Sequence, residues 1–459
     1  MKRFLILLPA LTLLFCSCSA TNANIKDFGA VGDGVTLNTD AFAKAVDAVS
    51  SGGGGILEVP AGIWLTGPIT LKSGVNLHLA RNAVVVFSPD LSLYPVVDSN
   101  FEGLDMRRCL APINADGARD ISITGEGVFD GSGGEWRALK KSKAPSAVWK
   151  DRVASGGVLS EDGKTWFPDE GFARAQATAG NFNSPDPSLD EQEIKRFLRP
   201  ELVLLKNCEN VLLEGCTFEN SPAWNIHLLW SRNIEIKGIT VRNPSWSQNG
   251  DGIDIDACED VRLHDSSFDV GDDAICIKSG KDEDGRRHAR ACTNLLIENC
   301  TVYAGHGGFV VGSEMSGGVS GVTVRGCTFI GTDVGLRFKS TRGRGGVVKD
   351  IVIEDIFMKD IINEAVTFDL FYGGKSTSDG YITDDTPAEA DETTPEFRDI
   401  HIRNVLCSGA GRAVYINGLP EMPVRNVSMK DCSFVNVGSG MQTNYTENLV
   451  TENVTIFLK

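Results

Sequence analysis

Positive charge is scarce in this chain of 459 residues: 44 Lys and Arg stand against 61 Asp and Glu, a formal net charge of −17. That balance argues against nucleic acid and anionic membrane surfaces as partners. Zinc-type spacing is missing as well. None of the 12 cysteines forms a CxxC or a Cys/His cluster, and their spacing is not that of a disulfide scaffold. Most lie inside apolar strands, as in "EGCTF" and "RGCTF", and read as small buried hydrophobes. Apolar runs long enough to interest a membrane are confined to the N-terminus. There Lys2 and Arg3 precede an apolar stretch from Phe4 to Phe15 and then small residues. Residues 1–20 thus read as a secretory or lipoprotein signal, too short for a spanning helix. Cys18, preceded by Ser17, is a better lipidation candidate than Cys16; ordinary cleavage after Ala20 or Ala23 is the alternative. The expectation is export in a Gram-negative bacterium, to the periplasm, the exterior or the outer membrane, with membrane contact only through that lipid.

What is present is glycine and short apolar strands. The 50 Gly and 22 Phe fit a turn-rich globular protein. From about residue 210 one phrase recurs: "NVLLEGCTF" from Asn210, "NIEIKGITV" from Asn233, "DVRLHDSSF" from Asp260, "NLLIENCTV" from Asn294. It continues as "GVTVRGCTF" from Gly321, "DIVIEDIFM" from Asp350, "DIHIRNVLC" from Asp399 and "NVSMKDCSF" from Asn426. Most starts are 23 to 34 residues apart, and the longest step, 49, contains an insertion. No helical pattern lies between successive phrases, which excludes βαβ units. Short strands at a near-fixed period imply a solenoid of stacked coils, an all-β parallel β-helix in which each coil buries its neighbour's apolar face. A propeller, the competing architecture, needs about 40 residues per blade and hairpin alternation. In register, Cys216, Cys300, Cys327 and Cys432 form one interior ladder. Weaker phrases from Gly74 and Asp120 start the coils earlier. Before them, "NTDAFAKAVDAVSSGGGG" reads as one capping helix, with Asn38 or Thr39 as N-cap and Phe42, Val46 and Val49 as its apolar stripe. Residues 24–459 are thus one domain, with surface insertions at about 131–200 and 373–395.

Four strands align by alternation: "GDGIDID" from Gly250, "DDAICIK" from Asp272, "HGGFVVG" from His306 and "DVGLRFK" from Asp333. Ile253, Ile275, Phe309 and Leu336 then share one inward column, and Ile255, Ile277, Val311 and Phe338 another. The outward columns hold Asp254 and Asp256, Cys276 and Lys278, Arg337 and Lys339. Just before the strands, Asp251 stacks on Asp273 and Asp272 on His306. Three carboxylates, an imidazole and two cations converge on one exposed patch. Any single Asp here is ordinary turn chemistry. Like charges stacked about 5 Å apart are kept mainly where they function. A calcium site is the competing reading of clustered Asp oxygens, against which the neighbouring Arg337 and Lys339 count. Asp251 and Asp273 together raise the cost of ionising Asp272, so Asp272 is expected to hold a proton at mildly acidic pH.

The motifs "NGD" 249–251, "GDD" 271–273, "GHG" 305–307 and "RFK" 337–339 resemble, in order, the four active-site motifs of the polygalacturonases, glycoside hydrolase family 28. "DFGAVGDG" 27–34 with "VPAG" 59–62 is similar to that family's N-terminal region. Gly250 stands where the family usually has Thr, and Phe338 where it often has Ile. The family's additional tyrosine is not placed, because Glu364 or Ala365 occupies the corresponding stretch. The resemblance implies a single-stranded right-handed parallel β-helix of the pectin-lyase-like kind. It further implies an inverting hydrolase of α-1,4-galacturonosyl linkages in pectin. Asp272 would be the general acid, Asp251 and Asp273 would activate water, and His306 would tune Asp272. Arg337 and Lys339 would bind a galacturonate carboxylate. No cofactor or metal is implied, and a monomer is expected.

Cations at the cleft would let an acidic protein bind an acidic polysaccharide, and "GRRHAR" 285–290 and "KSTRGRGG" 339–346 lie beside the motif strands. "GSEMSGG" 312–318 and the long Gly131–Pro200 segment resemble the exo-acting branch of the family, where a large loop closes one end of the cleft. Two other readings compete: a calcium-dependent pectate lyase-like enzyme, and a non-enzymatic carbohydrate-binding β-helix.

Overall fold

The computed structural model describes residues 21–179, 184–373 and 386–459. The signal-like segment with Cys16 and Cys18, and most of the 373–395 insertion, lie outside these residues. Among the described residues, no helix is long and apolar enough to cross a membrane.

Most of the repeated phrases become two short strands separated by a turn, those from Asp350 and Asp399 lie within single long strands, and the strands pair in parallel with their equivalents one coil later. Glu209–Glu214 pairs with Arg232–Lys237, which pairs with Glu259–His264 and then with Cys292–Glu298. This is a parallel β-helix, and among the described residues 33 strands share its hydrogen-bonded ladder. The Asn or Asp that opens all but one of the phrases adopts a left-handed conformation, with φ of 58° at Asn210, 53° at Asn233, 57° at Asp260 and 58° at Asn294; the exception, Gly321, has φ of 67°. Asn and Asp tolerate that region better than other non-glycine residues. Their side chains also bond from coil to coil: Asn210 Nδ2 to Asp120 Oδ1 at 2.7 Å, and Asn233 Nδ2 to Asn210 Oδ1 at 2.6 Å. The phrase therefore opens on Asn or Asp for two reasons, the turn and the ladder.

The interior is predominantly apolar. The expected cysteine ladder is present: strand register places Cys216, Ile239, Ser266, Cys300, Cys327, Ile356, Val405 and Cys432 in one buried column. The ten cysteines described are all buried and free. The helix Thr39–Ser51 closes the N-terminal end by burying Ala41, Phe42, Ala45, Val46 and Val49. Asn38 occupies the N-cap position without a side-chain cap. Its amide instead ties Val31, Thr36 and Leu65 together, which anchors the loop before the helix.

Two excursions leave the coil. The antiparallel hairpin Val96–Phe101 and Leu104–Cys109 turns through Glu102 and Gly103, with φ of 51° and 73°. Two left-handed residues in a two-residue loop match the twist of the flanking strands. A Cβ on Gly103 would lie 2.6 Å from the Lys281 nitrogen, so the close approach requires glycine. The 131–200 insertion is a small lobe carrying the helices Ser146–Ala154 and Glu170–Ala179 and a three-stranded sheet. Trp136, Phe172, Phe197 and Leu198 of the lobe share a second core with Tyr94 and Cys109. The lobe thereby backs the hairpin.

Candidate active site

One face of the solenoid stacks the strands Ile226–Leu229, Ile253–Asp256, Asp273–Lys278, Gly307–Val311, Val334–Lys339 and Glu364–Asp369. The register is the one that alternation implies: Ile253 pairs with Ile275, Ile275 with Phe309, and Phe309 with Leu336. The next column runs Asp254, Cys276, Val310, Arg337. This register brings Asp251, Asp272, Asp273, His306, Arg337 and Lys339 together. One oxygen from each of the three aspartates lies within 4.8 Å of the others.

Cations hold the cluster together. Asp273 Oδ2 accepts from Lys339 Nζ at 2.6 Å and Oδ1 from Arg337 Nη1 at 3.1 Å. With both oxygens of Asp273 occupied, a metal at the aspartates would face two fixed positive charges. His306 Nδ1 lies 2.9 Å from Asp272 Oδ1, and the His306 N–H donates to the Asp272 carbonyl at 2.8 Å.

Two expectations are corrected. First, the outward columns are not an exposed patch. Asp251, Asp254, Asp256, Asp273, Lys278, Arg337 and Lys339 are all buried, because turns, hairpin and lobe form a second layer over the sheet. Only Asp272 and His306 keep substantial access, with side chains 24% and 30% exposed. Second, the acid that holds the proton in the unliganded cleft is Asp251, not Asp272. Burial pushes the Asp251 carboxyl well above the usual range, and the Asp272 and Asp254 charges add to it. At Asp272 burial also acts upward, but His306, Lys339 and Arg337 outweigh it and hold the carboxyl well below the usual range. Asp273 is held low too: burial again acts upward, and Lys339 and Arg337 override it. The crowding of Asp272 by its neighbouring aspartates is thus outweighed by the cations one and two coils away.

The basic clusters flanking the motif strands are spent largely on the protein itself. Arg286 donates to the Gly343 and Arg344 carbonyls, Arg287 pairs with Asp105 and Asp284, Arg342 with Glu421, and Arg344 with Asp282. They lock turns at the cleft edge. In "GSEMSGG", Glu314 pairs with the buried Lys278 at 2.8 Å and Met315 enters the core, so this segment anchors the floor of the site.

The structure adds residues that periodicity did not single out. Tyr372 stands over both cations, with Lys339 Nζ 4.8 Å and the Arg337 guanidinium carbon 5.5 Å from its ring centroid. It lies eight residues after Glu364, within the stretch "EAVTFDLFYGG" where Glu364 or Ala365 stands at the expected position. Lys143 of the lobe places its ammonium 3.2 Å from His306 Nε2. Glu102, at the hairpin turn, spans the cleft: Asn249 Nδ2 donates to its Oε1 at 3.3 Å on one rim, and its Oε2 lies 3.9 Å from Lys281 Nζ on the other. Lys281 N donates to the Gly103 carbonyl at 3.0 Å, and Arg199 Nη2 to Asn249 Oδ1 at 2.6 Å. Below the turn Phe101 stacks on Trp224 at 5.1 Å, and Trp224 packs edge-on to His227. The hairpin is therefore a wall across the cleft over the coil of Asp251, open on the side of His306 and Arg337. It, rather than the 131–200 lobe alone, closes that end.

A partly open carboxylate and imidazole, backed by buried acids and cations in a cleft with one closed end, form a site for acid–base chemistry on an anionic glycan. The comparisons with known proteins agree. Glycosyl hydrolases family 28 matches residues 185–455, and the chain belongs to that family. It is 32% identical over 435 residues to a probable polygalacturonase of Vitis vinifera, covering 93% of this chain and 76% of that protein. It is 28% identical to an exo-poly-alpha-D-galacturonosidase of Dickeya chrysanthemi, covering 86% of this chain and 64% of that protein. The crystal structure of an exopolygalacturonase from Thermotoga maritima superposes with a TM-score of 0.75 at 31% identity, over 95% of this chain and 92% of that one. The protein is a glycoside hydrolase on a parallel β-helix scaffold.

Proposed function

We propose that the enzyme hydrolyses α-1,4-galacturonosyl linkages of pectin from a chain end, with inversion at the anomeric carbon. The observation that carries this reading is the acid cluster in register with Arg337 and Lys339, beside a wall that leaves one end of the cleft open. Hydrolysis needs a proton donor at the leaving oxygen and an activated water. Asp272 is the carboxyl with access to a bound sugar, and its low affinity for protons comes from surrounding cations. A galacturonate carboxylate arriving beside those cations cancels part of their field and raises the Asp272 pKa. The proton then passes from Asp251 to Asp272 over a separation of at most 4.8 Å. Asp251, once ionised, and Asp273 are the groups that orient and deprotonate water.

The closest oxygens lie nearer one another than the roughly 6.5–9.5 Å carboxyl separation usual for inverting enzymes. Inversion is favoured by the state of the acids. Both Asp273 oxygens are held by cations and Asp251 is buried, so neither is a free nucleophile and water is the attacking group. Proton NMR of the first product formed from polygalacturonate tests this: the β-anomer supports inversion, and the α-anomer would replace it with a covalent intermediate.

Export is proposed with it, on the basic and apolar residues that open the sequence, with Cys18 as the lipidation candidate. Metabolic labelling with a fatty acid, with Cys18→Ser as control, distinguishes an anchored from a released enzyme.

A further inference from the structure

We infer that Lys143 of the 131–200 lobe and the Nε2 edge of His306 form a carboxylate-binding subsite for the sugar on the open side of the scissile bond. This rests on the galacturonan reading above and gives the lobe a direct part in it.

The geometry is specific. Lys143 lies in the turn after the strand Leu139–Lys140, where its N–H donates to the Lys140 carbonyl at 3.1 Å. Its side chain is exposed, and its ammonium reaches across the cleft to His306. Among the described residues no carboxylate lies within ion-pair distance of Lys143. Arg337 and Lys339, by contrast, are both paired with Asp273. Lys143 is therefore the cation at this site whose charge is not already met by an acid.

Its partner changes character with protonation. When His306 is neutral and donates through Nδ1 to Asp272, its Nε2 accepts a hydrogen bond from Lys143. The groups facing the imidazole are Asp272 at 2.9 Å, Lys143 at 3.2 Å and Asp333 at 3.9 Å, with Asp273 further off. The charge and hydrogen bond of Asp272 prevail and raise the His306 pKa, against burial and the Lys143 charge, which lower it. Once His306 is an imidazolium, its Nε2–H and the Lys143 ammonium become two donors with no acceptor between them. Asp333 does not fill that role, since 3.9 Å is beyond hydrogen-bond distance. A sugar carboxylate does. The wall at Glu102 lies toward the N-terminal coils and His306 one coil beyond Asp272, so this carboxylate belongs to the unit on the open side.

The test compares wild type, Lys143→Ala and Lys143→Arg on α-1,4-linked trigalacturonate across pH, and on the same trimer with its carboxylates methyl-esterified. Loss of a charge-assisted hydrogen bond predicts a KM about tenfold or more higher for Lys143→Ala, with a much smaller change in kcat, and recovery in Lys143→Arg. Removing the cation also raises the His306 pKa, so the limb of the kcat/KM profile set by His306 moves to higher pH. Esterification should penalise wild type more than Lys143→Ala. Unchanged KM and unchanged profile in Lys143→Ala would overturn the subsite. So would an equal rise in KM for Lys143→Ala and Lys143→Arg with no pH shift, which would mean that Lys143 only braces the lobe. A wild-type enzyme inactive on every galacturonate would instead overturn the functional reading on which the subsite depends.

Discussion

His306 and Asp272 are joined twice, through Nδ1 and Oδ1 at 2.9 Å and through a backbone hydrogen bond at 2.8 Å. The double link fixes the one accessible carboxylate of the acid cluster against an imidazole one coil away. Replacing Asp272 by Asn keeps its shape and removes its ability to give a proton. We expect kcat to fall by ~10²–10⁴, the usual weight of a positioned acid, with Kd for a galacturonate oligomer nearly unchanged. The partial exposure of Asp272 means that thermal stability should hold. Near-normal turnover in the purified variant would remove Asp272 as the donor.

The proton transfer from Asp251 to Asp272 on substrate binding has a kinetic signature. The bound galacturonate anion raises the proton affinity of the pair, and the active form is lost as pH rises through that pKa. The basic limb of kcat should therefore lie at higher pH than the basic limb of kcat/KM. Coincident limbs would mean that substrate does not alter the field around Asp272.

Alternation alone placed the acid cluster, because inward and outward columns of a β-helix follow from period-2 patterning once coils such as "DDAICIK" and "HGGFVVG" are aligned. What alternation could not show is what covers the outward columns. Glu102, Lys143 and Arg199 reach the cleft from excursions outside the repeat, at sequence distances where no periodic signal exists. The protonation pattern was not legible either. Alignment brings His306, Arg337 and Lys339 to the acids, but only the folded distances show that their charges outweigh the crowding of Asp272 by its fellow aspartates.

Behind the wall lies a buried network that makes stability depend on pH. His227 is fully buried between Glu201 at 3.1 Å and Asp256 at 3.4 Å. Burial lowers its pKa, but the hydrogen bonds it donates to Asp256 and Glu201 prevail and raise it to about 9. Its contribution is complete below the unfolded value near 6.5 and is lost as pH rises through about 9. Asp254 has no hydrogen-bond partner at either oxygen, and burial raises it to about 8. Folded Asp254 keeps its proton where the unfolded chain has lost it, so stability falls between about pH 4 and 8. Both effects have the same sign, and Tm should decline from pH 6 to 9. Asp254→Asn should flatten the part below pH 8. A Tm that rises over this range would contradict the assignment.

The lyase alternative predicts a different product and a different requirement. Lys339 and Arg337 hold both oxygens of Asp273, leaving a divalent cation poorly served at the aspartates. Activity on polygalacturonate should survive a chelator and release reducing ends without new ultraviolet absorbance. Calcium-dependent formation of unsaturated sugars would establish β-elimination in place of hydrolysis.

The hairpin wall makes the last prediction. Glu102 bridges Asn249 and Lys281; if that bridge bars a polymer from running through the cleft, as the proposed chain-end action requires, only a terminus reaches Asp272. Monomer or a short dimer should appear from the first turnovers, and viscosity should fall slowly relative to reducing-end release. Gly103 offers the means of opening the wall. A side chain there would meet the Lys281 nitrogen at 2.6 Å and the Gly280 carbonyl carbon at 2.8 Å, on a backbone already at φ 73°. Neither contact is a flexible side-chain end, so Gly103→Val must lift the turn from the rim. The lobe core of Trp136, Phe172 and Phe197, which backs the hairpin from below, is not touched by the change. A folded Gly103→Val enzyme should therefore yield mixed oligomers early and thin the polymer faster than wild type. If it folds and still releases only terminal units, the barrier to internal cleavage lies elsewhere than at this turn.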